Sequence, residues 1–306
     1  MNKVSHKRSR SRVSGSVTVQ GLIERGARRL RRAQVVFGHG TDNARDESAA
    51  LVCHALGWSA PTARMLRRVA SARQQRLAYE LLTRRIRERR PAVYLTGETW
   101  FAGLQFRTDP RALIPRSPLA ELIERGFAPW VDPRRVRRVL DIGTGGGCIA
   151  IATARMLPRA RVDAIDISAP ALQLAAENVR RHRLGRRVRL LHSNYFSALS
   201  GERYDIIVSN PPYVGAREMR SLPAEYRHEP RMALASGRDG MDAVRAILQG
   251  ARRHLNPGGI LVVEVGNTEV AVRRAFRPLP FTWLTFARGG GGVFMLTAQQ
   301  LRVQGS

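Results

Sequence analysis

The residues best suited to chemistry lie together in one stretch, Tyr204–Tyr213, which reads YDIIVSNPPY. Ile206, Ile207 and Val208 form the continuous apolar run of a buried parallel strand. Two prolines then end it, because proline cannot donate to a ladder and its φ is fixed near −65°. The chain must leave the sheet at the carboxyl end of a strand, where open α/β sheets bind ligands. Asn210 and the carbonyl of Pro211 are therefore two neighbouring acceptors at the rim, with Pro212 and Tyr213 beside them. An sp² NH2 group has two hydrogens to donate and needs two such acceptors. An ordinary turn would use the same residue types, so what lies upstream decides between the two readings.

Upstream, Leu140-Asp141-Ile142-Gly143-Thr144-Gly145-Gly146-Gly147 falls where a strand gives way to a helix. Glycines there permit positive φ and a close approach of backbone to ligand. A dinucleotide GxGxxG pattern fails, because Cys148 holds the place of its third glycine. Asp166 sits at the tip of the following strand, where a carboxylate can take both ribose hydroxyls. This pairing suits a nucleoside cofactor with no pyrophosphate to cradle, which S-adenosylmethionine (SAM) is.

These residues need a scaffold. From Arg138 onward strands and helices alternate, which predicts a parallel doubly wound sheet. The strands fall at Val139–Ile142, Arg161–Ile167, Val188–His192, Asp205–Ser209 and Ile260–Val265. Helices are expected over Cys148–Leu157, Ala169–His182 and Gly240–Leu255, with Ser168 as an N-cap. Thr282–Phe286, Gly289–Gly292 and Val293–Thr297 read as a terminal antiparallel hairpin. Ahead of this domain (119–306), Thr99–Ile114 alternates as a hairpin turning near Ala102–Gly103, so 96–118 reads as a connector, with Leu119–Phe127 helical after it. Residues 19–95 carry three amphipathic helical patterns and read as a helical substrate-recognition domain. Residues 1–18 read as a disordered basic tail, since Met1–Gly15 has almost no large apolar side chain.

Composition narrows the function classes. The chain has 306 residues, 43% hydrophobic, enough for one full-size domain and a smaller one. No apolar run approaches a membrane span. Cys53 and Cys148 are too few for a disulfide framework or a metal site, which fits a reducing cytoplasm. The Arg- and Ser-rich start also resembles an organellar transit peptide, the alternative address. The net charge of +28 would attract polyanions such as RNA. Lys3 and Lys7 are the only lysines, however, and so strong a skew to arginine also matches a base-composition bias.

With these motifs in view, the chain resembles a class I SAM-dependent methyltransferase acting on a planar nitrogen. The likeness extends to His39–Asn43 (HGTDN), Pro115–Pro118 (PRSP), Glu225–Pro230 (EYRHEP), Ala233–Gly240 (ALASGRDG), Glu264–Asn267 (EVGN) and the terminal FTWLTFARGGGGVFMLT. Together they resemble the bacterial protein-(glutamine-N5) methyltransferases, in the branch that modifies a large-subunit ribosomal protein. The sister branch, acting on peptide-chain release factors, shares the glycine loop and NPPY. The resemblance implies that Gly143, Thr144, Gly145, Gly146 and Gly147 line the methionine part of SAM and that Asp141 also contacts the cofactor. It further implies that Asp166 holds the ribose, that Asn194 and Tyr195 flank the adenine, and that Asn210 also borders the cofactor. Asn194 stands where the family usually has Asp. Asn210 and Pro211 would accept the glutamine amide hydrogens, Pro212 and Tyr213 packing beside it.

The implied partners are the ribosomal protein and the assembling particle with its RNA, with no membrane and no metal. Arg116, Arg227, His228 and Glu229 read either as ion-pair partners or as substrate contacts, Glu264 as a fold position, and His39 as a cap or turn residue. Two rivals remain: a nucleic-acid adenine-N6 methyltransferase, which offers a similar NH2 after base flipping, and a non-catalytic assembly factor. The absence of a sizeable target-recognition region argues against the first, and the intact motifs argue against the second.

Overall fold

The computed structural model describes residues 17–59 and 61–301, so all but the last two residues of the expected tail lie outside the described residues. The chain divides into two compact units, one comprising residues up to Val35 together with Asn43–Glu88, the other Val36–Asp42 together with Arg89 onward.

The first unit is helical, as its periodicity predicts: α1 (Val19–Arg32), α2 (Ala44–Ala55), the single turn α3 (Ala63–Leu66) and α4 (Ala72–Glu88). Thr18 caps α1 by accepting from Gly21 N, and Asn43 caps α2 by accepting from the backbone of Arg45 and Asp46. Val19, Ile23, Val52, Ala70 and Ala78 form the apolar core. A charged pair is buried within the unit, Arg85 Nε to Glu47 Oε1 at 2.6 Å. The unit ends at Glu88, and Val36–Asp42 belongs to the second unit.

The second unit opens with α5 (Ala92–Thr96) and the hairpin of β1 (Glu98–Phe101) and β2 (Leu104–Arg107). Ala102 and Gly103 both take positive φ, the two-residue turn that matches strand twist. Helix α6 (Leu119–Glu124) is shorter than expected, because Gly126 and Phe127 turn the chain through the left-handed region. Then come β3 (Arg138–Ile142), α7 (Cys148–Met156), β4 (Arg161–Asp166), α8 (Ala169–Arg181), β5 (Val188–His192) and β6 (Tyr204–Ser209). The rest is α9 (Ala216–Met219), α10 (Asp242–His254), β7 (Leu255–Glu264), α11 (Glu269–Ala275), β8 (Thr282–Leu284) and β9 (Val293–Thr297), with short 3₁₀ turns between.

Seven strands form one sheet in the order β5-β4-β3-β6-β7-β9-β8. The first five are parallel, and β9 runs antiparallel to both β7 and β8. The expected terminal hairpin is present, with β9 inside the sheet and β8 at its edge. Alternate strand residues fill two cores. Val139, Ile206, Val208 and Val262 face α6, α7 and α8, whereas Leu140, Ile207, Leu261 and Val263 face α10 and α11. After β3 the chain builds outward through β4 and β5, then returns to place β6 on the other side of β3. A crevice opens at the carboxyl ends of β3 and β6, where such a reversal leaves no crossover.

Candidate active site

The crevice holds a cavity of about 260 Å³. Gly143, Thr144, Gly145 and Gly146 form one wall after β3, and Asp166 stands at the tip of β4. Asn194 and Tyr195, after β5, and Asn210, Pro211 and Pro212, after β6, line it too. Four strands of one sheet thus bring these ten residues together.

The glycine turn is tied down from both sides. Gly143 N and Thr144 N donate to the carbonyl of Ile165, and Gly145 N donates to Asp166 Oδ2 at 2.8 Å. Asp166 Oδ1 accepts from Ser168 N at 2.8 Å. Burial raises the Asp166 pKa above the ordinary carboxylate value, and these backbone donors oppose that rise. Gly143 has φ +71°, and a Cβ built there meets no atom within 4 Å, so the space over it is open to a ligand.

Two expected cofactor contacts lie behind the wall instead. Asp141 is fully buried, and its Oδ2 accepts from Thr144 Oγ1 at 2.6 Å and from Ala150 N at 3.1 Å, joining the turn to the first turn of α7. Burial pushes its pKa up to about 7, with the Asp166 charge adding to the rise and the two donors opposing it. Gly147 backs onto α8, where a Cβ would come within 3.2 Å of Ala175 Cβ. Both shape the turn without lining the cavity.

Asn210 and Pro211 also line a second, smaller cavity of about 90 Å³, so they stand where the two meet. The side-chain oxygen of Asn210 is buried with no hydrogen-bond partner among the described residues. Tyr213 belongs to this second cavity alone. Its hydroxyl donates to Glu264 Oε1 at 3.3 Å, and its ring lies against Gly266, where a Cβ would be 2.6 Å from Tyr213 Cε2. Gly266 also holds φ +45°, so the EVGN motif combines a special backbone with a surface for the tyrosine.

Further participants come from segments outside the strand tips. Glu229 is buried and accepts from Arg116 Nη1 at 2.8 and 3.0 Å and from Ile114 N at 3.1 Å. His39 Nε2 lies 3.4 Å from the same carboxylate, and the His39 ring packs edge-on against Tyr226. His39 is therefore a fully buried member of this cluster, held at a bend that the Gly38 N to Thr41 carbonyl hydrogen bond spans. Arg116 and Glu229 are ion-pair partners. Residues Ala112–Ser117, with Pro230, Met232 and Ala233, wall the first cavity as well. The sole sequence signal for these segments was the wording of PRSP, HGTDN and EYRHEP.

The open space over Gly143, the Asp166 carboxylate and the orphaned Asn210 oxygen fit SAM, whose sulfonium is cationic and whose ribose offers hydroxyls. Sheet order and site together define a class I SAM-dependent methyltransferase. Residues 126–226 match the family model described as Methyltransferase small domain, and residues 22–97 match PrmC N-terminal domain. A protein of Bordetella pertussis is 46% identical, with 93% of this chain and 96% of that one covered. One of Neisseria meningitidis is 43% identical, covering 93% and 94%. Both are named ribosomal protein uL3 glutamine methyltransferase. A solved methyltransferase from Pyrococcus furiosus aligns over 75% of this chain and 99% of its own, at TM-score 0.45 and 19% identity. This chain belongs to the ribosomal protein uL3 glutamine methyltransferases.

Proposed function

We propose that the chain methylates the N5 side-chain amide nitrogen of a glutamine in ribosomal protein uL3, the substrate in its relatives' names. The observation that carries this reading is the buried, unpartnered oxygen of Asn210 at the meeting of two cavities. A buried acceptor left unpaired is costly, and an arriving NH2 group removes that cost.

An amide nitrogen is a weak nucleophile, because its lone pair is delocalised into the carbonyl. Asn210 Oδ1 and the Pro211 carbonyl accept its two N–H groups and so fix its direction toward the larger cavity. The same acceptors stabilise the positive charge that develops on nitrogen as the new bond forms. No general base is assigned, since the methylated nitrogen sheds its proton readily. Bound in the larger cavity, SAM supplies an electrophilic methyl group on sulfur. Gly143–Gly146 would hold its methionine part, Asp166 would take the ribose hydroxyls, and Asn194 and Tyr195 would hold the adenine. Pro212 and Tyr213 hold the amide in the smaller cavity.

In this reading the helical unit recognises the protein substrate, and the reaction takes place in the bacterial cytoplasm on an assembling, RNA-bearing particle. No helix among the described residues is long and apolar enough to cross a membrane. Incubation of the full chain with methyl-labelled SAM and purified uL3, followed by mass mapping, tests the proposal. Label on one glutamine side chain is expected. Label carried by RNA, or none on uL3 in any form, would overturn it.

A further inference from the structure

The small cavity against Asn210 leads outward. It shares Leu222, Tyr226 and Leu234 with a wider opening of about 470 Å³. Three exposed arginines, Arg220, Arg227 and Arg231, line that opening. Some arginines of this unit are matched by carboxylates, as Arg111 is by Asp109 and Glu177, and Arg189 by Asp163. Here the nearby carboxylates are already engaged: Glu229 with Arg116 and Ile114 N, and Glu218 with the Asn267 amide. Among the described residues the three arginines form no ion pair.

We infer that this rim binds the phosphodiester backbone of RNA that accompanies the acceptor glutamine. The inference rests on the reading under Proposed function and gives it a second ligand. A polypeptide that itself binds ribosomal RNA carries positive charge, and a chain of net charge +28 repels it. A polyanion between the two reverses the sign of that interaction. Planar guanidiniums suit phosphate oxygens, which they can take two at a time. Each phosphate neutralised also releases counterions, so the association strengthens as salt falls. The position matters more than the number of charges. These arginines stand at the outer end of the path that reaches Asn210, where RNA bound beside the target would hold the glutamine at the entrance.

The test compares two charge-matched variants of the full chain. One is R220Q/R227Q/R231Q. The other, R252Q/R253Q/R274Q, removes three exposed arginines from α10 and α11. Anisotropy with a short fluorescein-labelled single-stranded RNA, measured across a salt series, reads binding. Methylation of uL3 alone and of uL3 bound to a ribosomal RNA transcript reads the consequence. The rim variant is expected to lose RNA affinity at least about tenfold at low salt, with the slope of log affinity against log salt shallower by about 2 for three single-strand contacts. Its ratio of RNA-bound to RNA-free methylation should fall at least about tenfold, while the α10–α11 variant stays near wild type in both readouts. Equal losses in the two variants would overturn the inference in favour of diffuse charge. A rim variant that loses both methylation activities alike would overturn it in favour of polypeptide contact, including contact with an acidic segment. Wild-type chain that methylates no form of uL3 would count against the methyl-acceptor reading alone, because the RNA-binding comparison still stands by itself.

Discussion

The Tyr213 hydroxyl donates to Oε1 of Glu264 at 3.3 Å while the Ser117 hydroxyl donates to Oε2 of the same carboxylate at 2.5 Å. One buried acid at the end of β7 thus ties the loop after β6 to the segment before α6. Burial raises the pKa of Glu264, and the two hydroxyl donors oppose that rise. Glu264 is therefore a fold position, with a consequence for the site: it fixes the tyrosine beside the acceptor cavity.

Tyr213→Phe removes that tether and keeps the ring on Gly266. Turnover should fall about tenfold, the scale of one buried hydrogen bond of about 1–2 kcal/mol. SAM affinity by calorimetry should be unchanged, since Tyr213 does not line the larger cavity. Weakened SAM binding with normal turnover would place the tyrosine on the wrong side.

Asp166→Ala should weaken SAM binding by about 1.5–3 kcal/mol, the range for hydrogen bonds to a charged group. Two losses contribute, the ribose contact and the tie to Gly145 N. Calorimetry reads the effect directly, and unchanged affinity would remove Asp166 from the site.

What the sequence makes legible here depends on whether a residue acts locally. The apolar runs of β3, β6 and β7, the glycine turn, Asp166 at a strand tip and the proline stop after Asn210 are all set by neighbours in the chain, and the structure has them where expected. Asp141 is different. The family resemblance implies a cofactor contact, but the first turn of α7 folds back over it and Ala150 N donates to the carboxylate. The Glu229 cluster is further from reach. His39, Ile114 and Arg116 come from separate segments, and no local spacing announces that they converge on one buried acid.

The Glu229 cluster should matter for stability. Glu229→Ala leaves Arg116 largely buried without its counter-charge and frees the backbone of Ile114. A loss of about 3 kcal/mol is expected, tempered by the partial exposure of Arg116. Denaturant titration checks this, and a loss below about 1 kcal/mol would show that solvent or neighbouring groups take over its role.

Asp141 gives stability a pH dependence. Its pKa is raised from the ordinary 3.8 to about 7 in the folded chain, so the folded state binds the extra proton. Its contribution is fully present below about pH 4 and is lost as pH rises through 7, by at most about 4 kcal/mol. Asp141→Asn can keep an acceptor for Thr144 and Ala150 and cannot ionise. Relative to wild type it should gain stability between pH 5 and about pH 8, as read by parallel thermal melts. Parallel stability curves across that range would show that Asp141 keeps its charge at neutral pH.

The most direct test concerns Asn210. Asn210→Asp keeps the size and an acceptor oxygen but places a negative charge beside the cofactor cavity. The sulfonium carries its full charge in the ground state and shares it with nitrogen in the transition state. A carboxylate therefore stabilises bound SAM at least as well as the transition state, and only differential stabilisation raises the rate. The measurement is SAM affinity by calorimetry alongside single-turnover methylation of uL3. The account predicts affinity retained or slightly tightened and a rate lower by at least about a hundredfold, the scale of losing one preorganised polar group. A variant that methylates at the wild-type rate would contradict it, leaving Asn210 as a turn residue and the two-acceptor mechanism without its principal group.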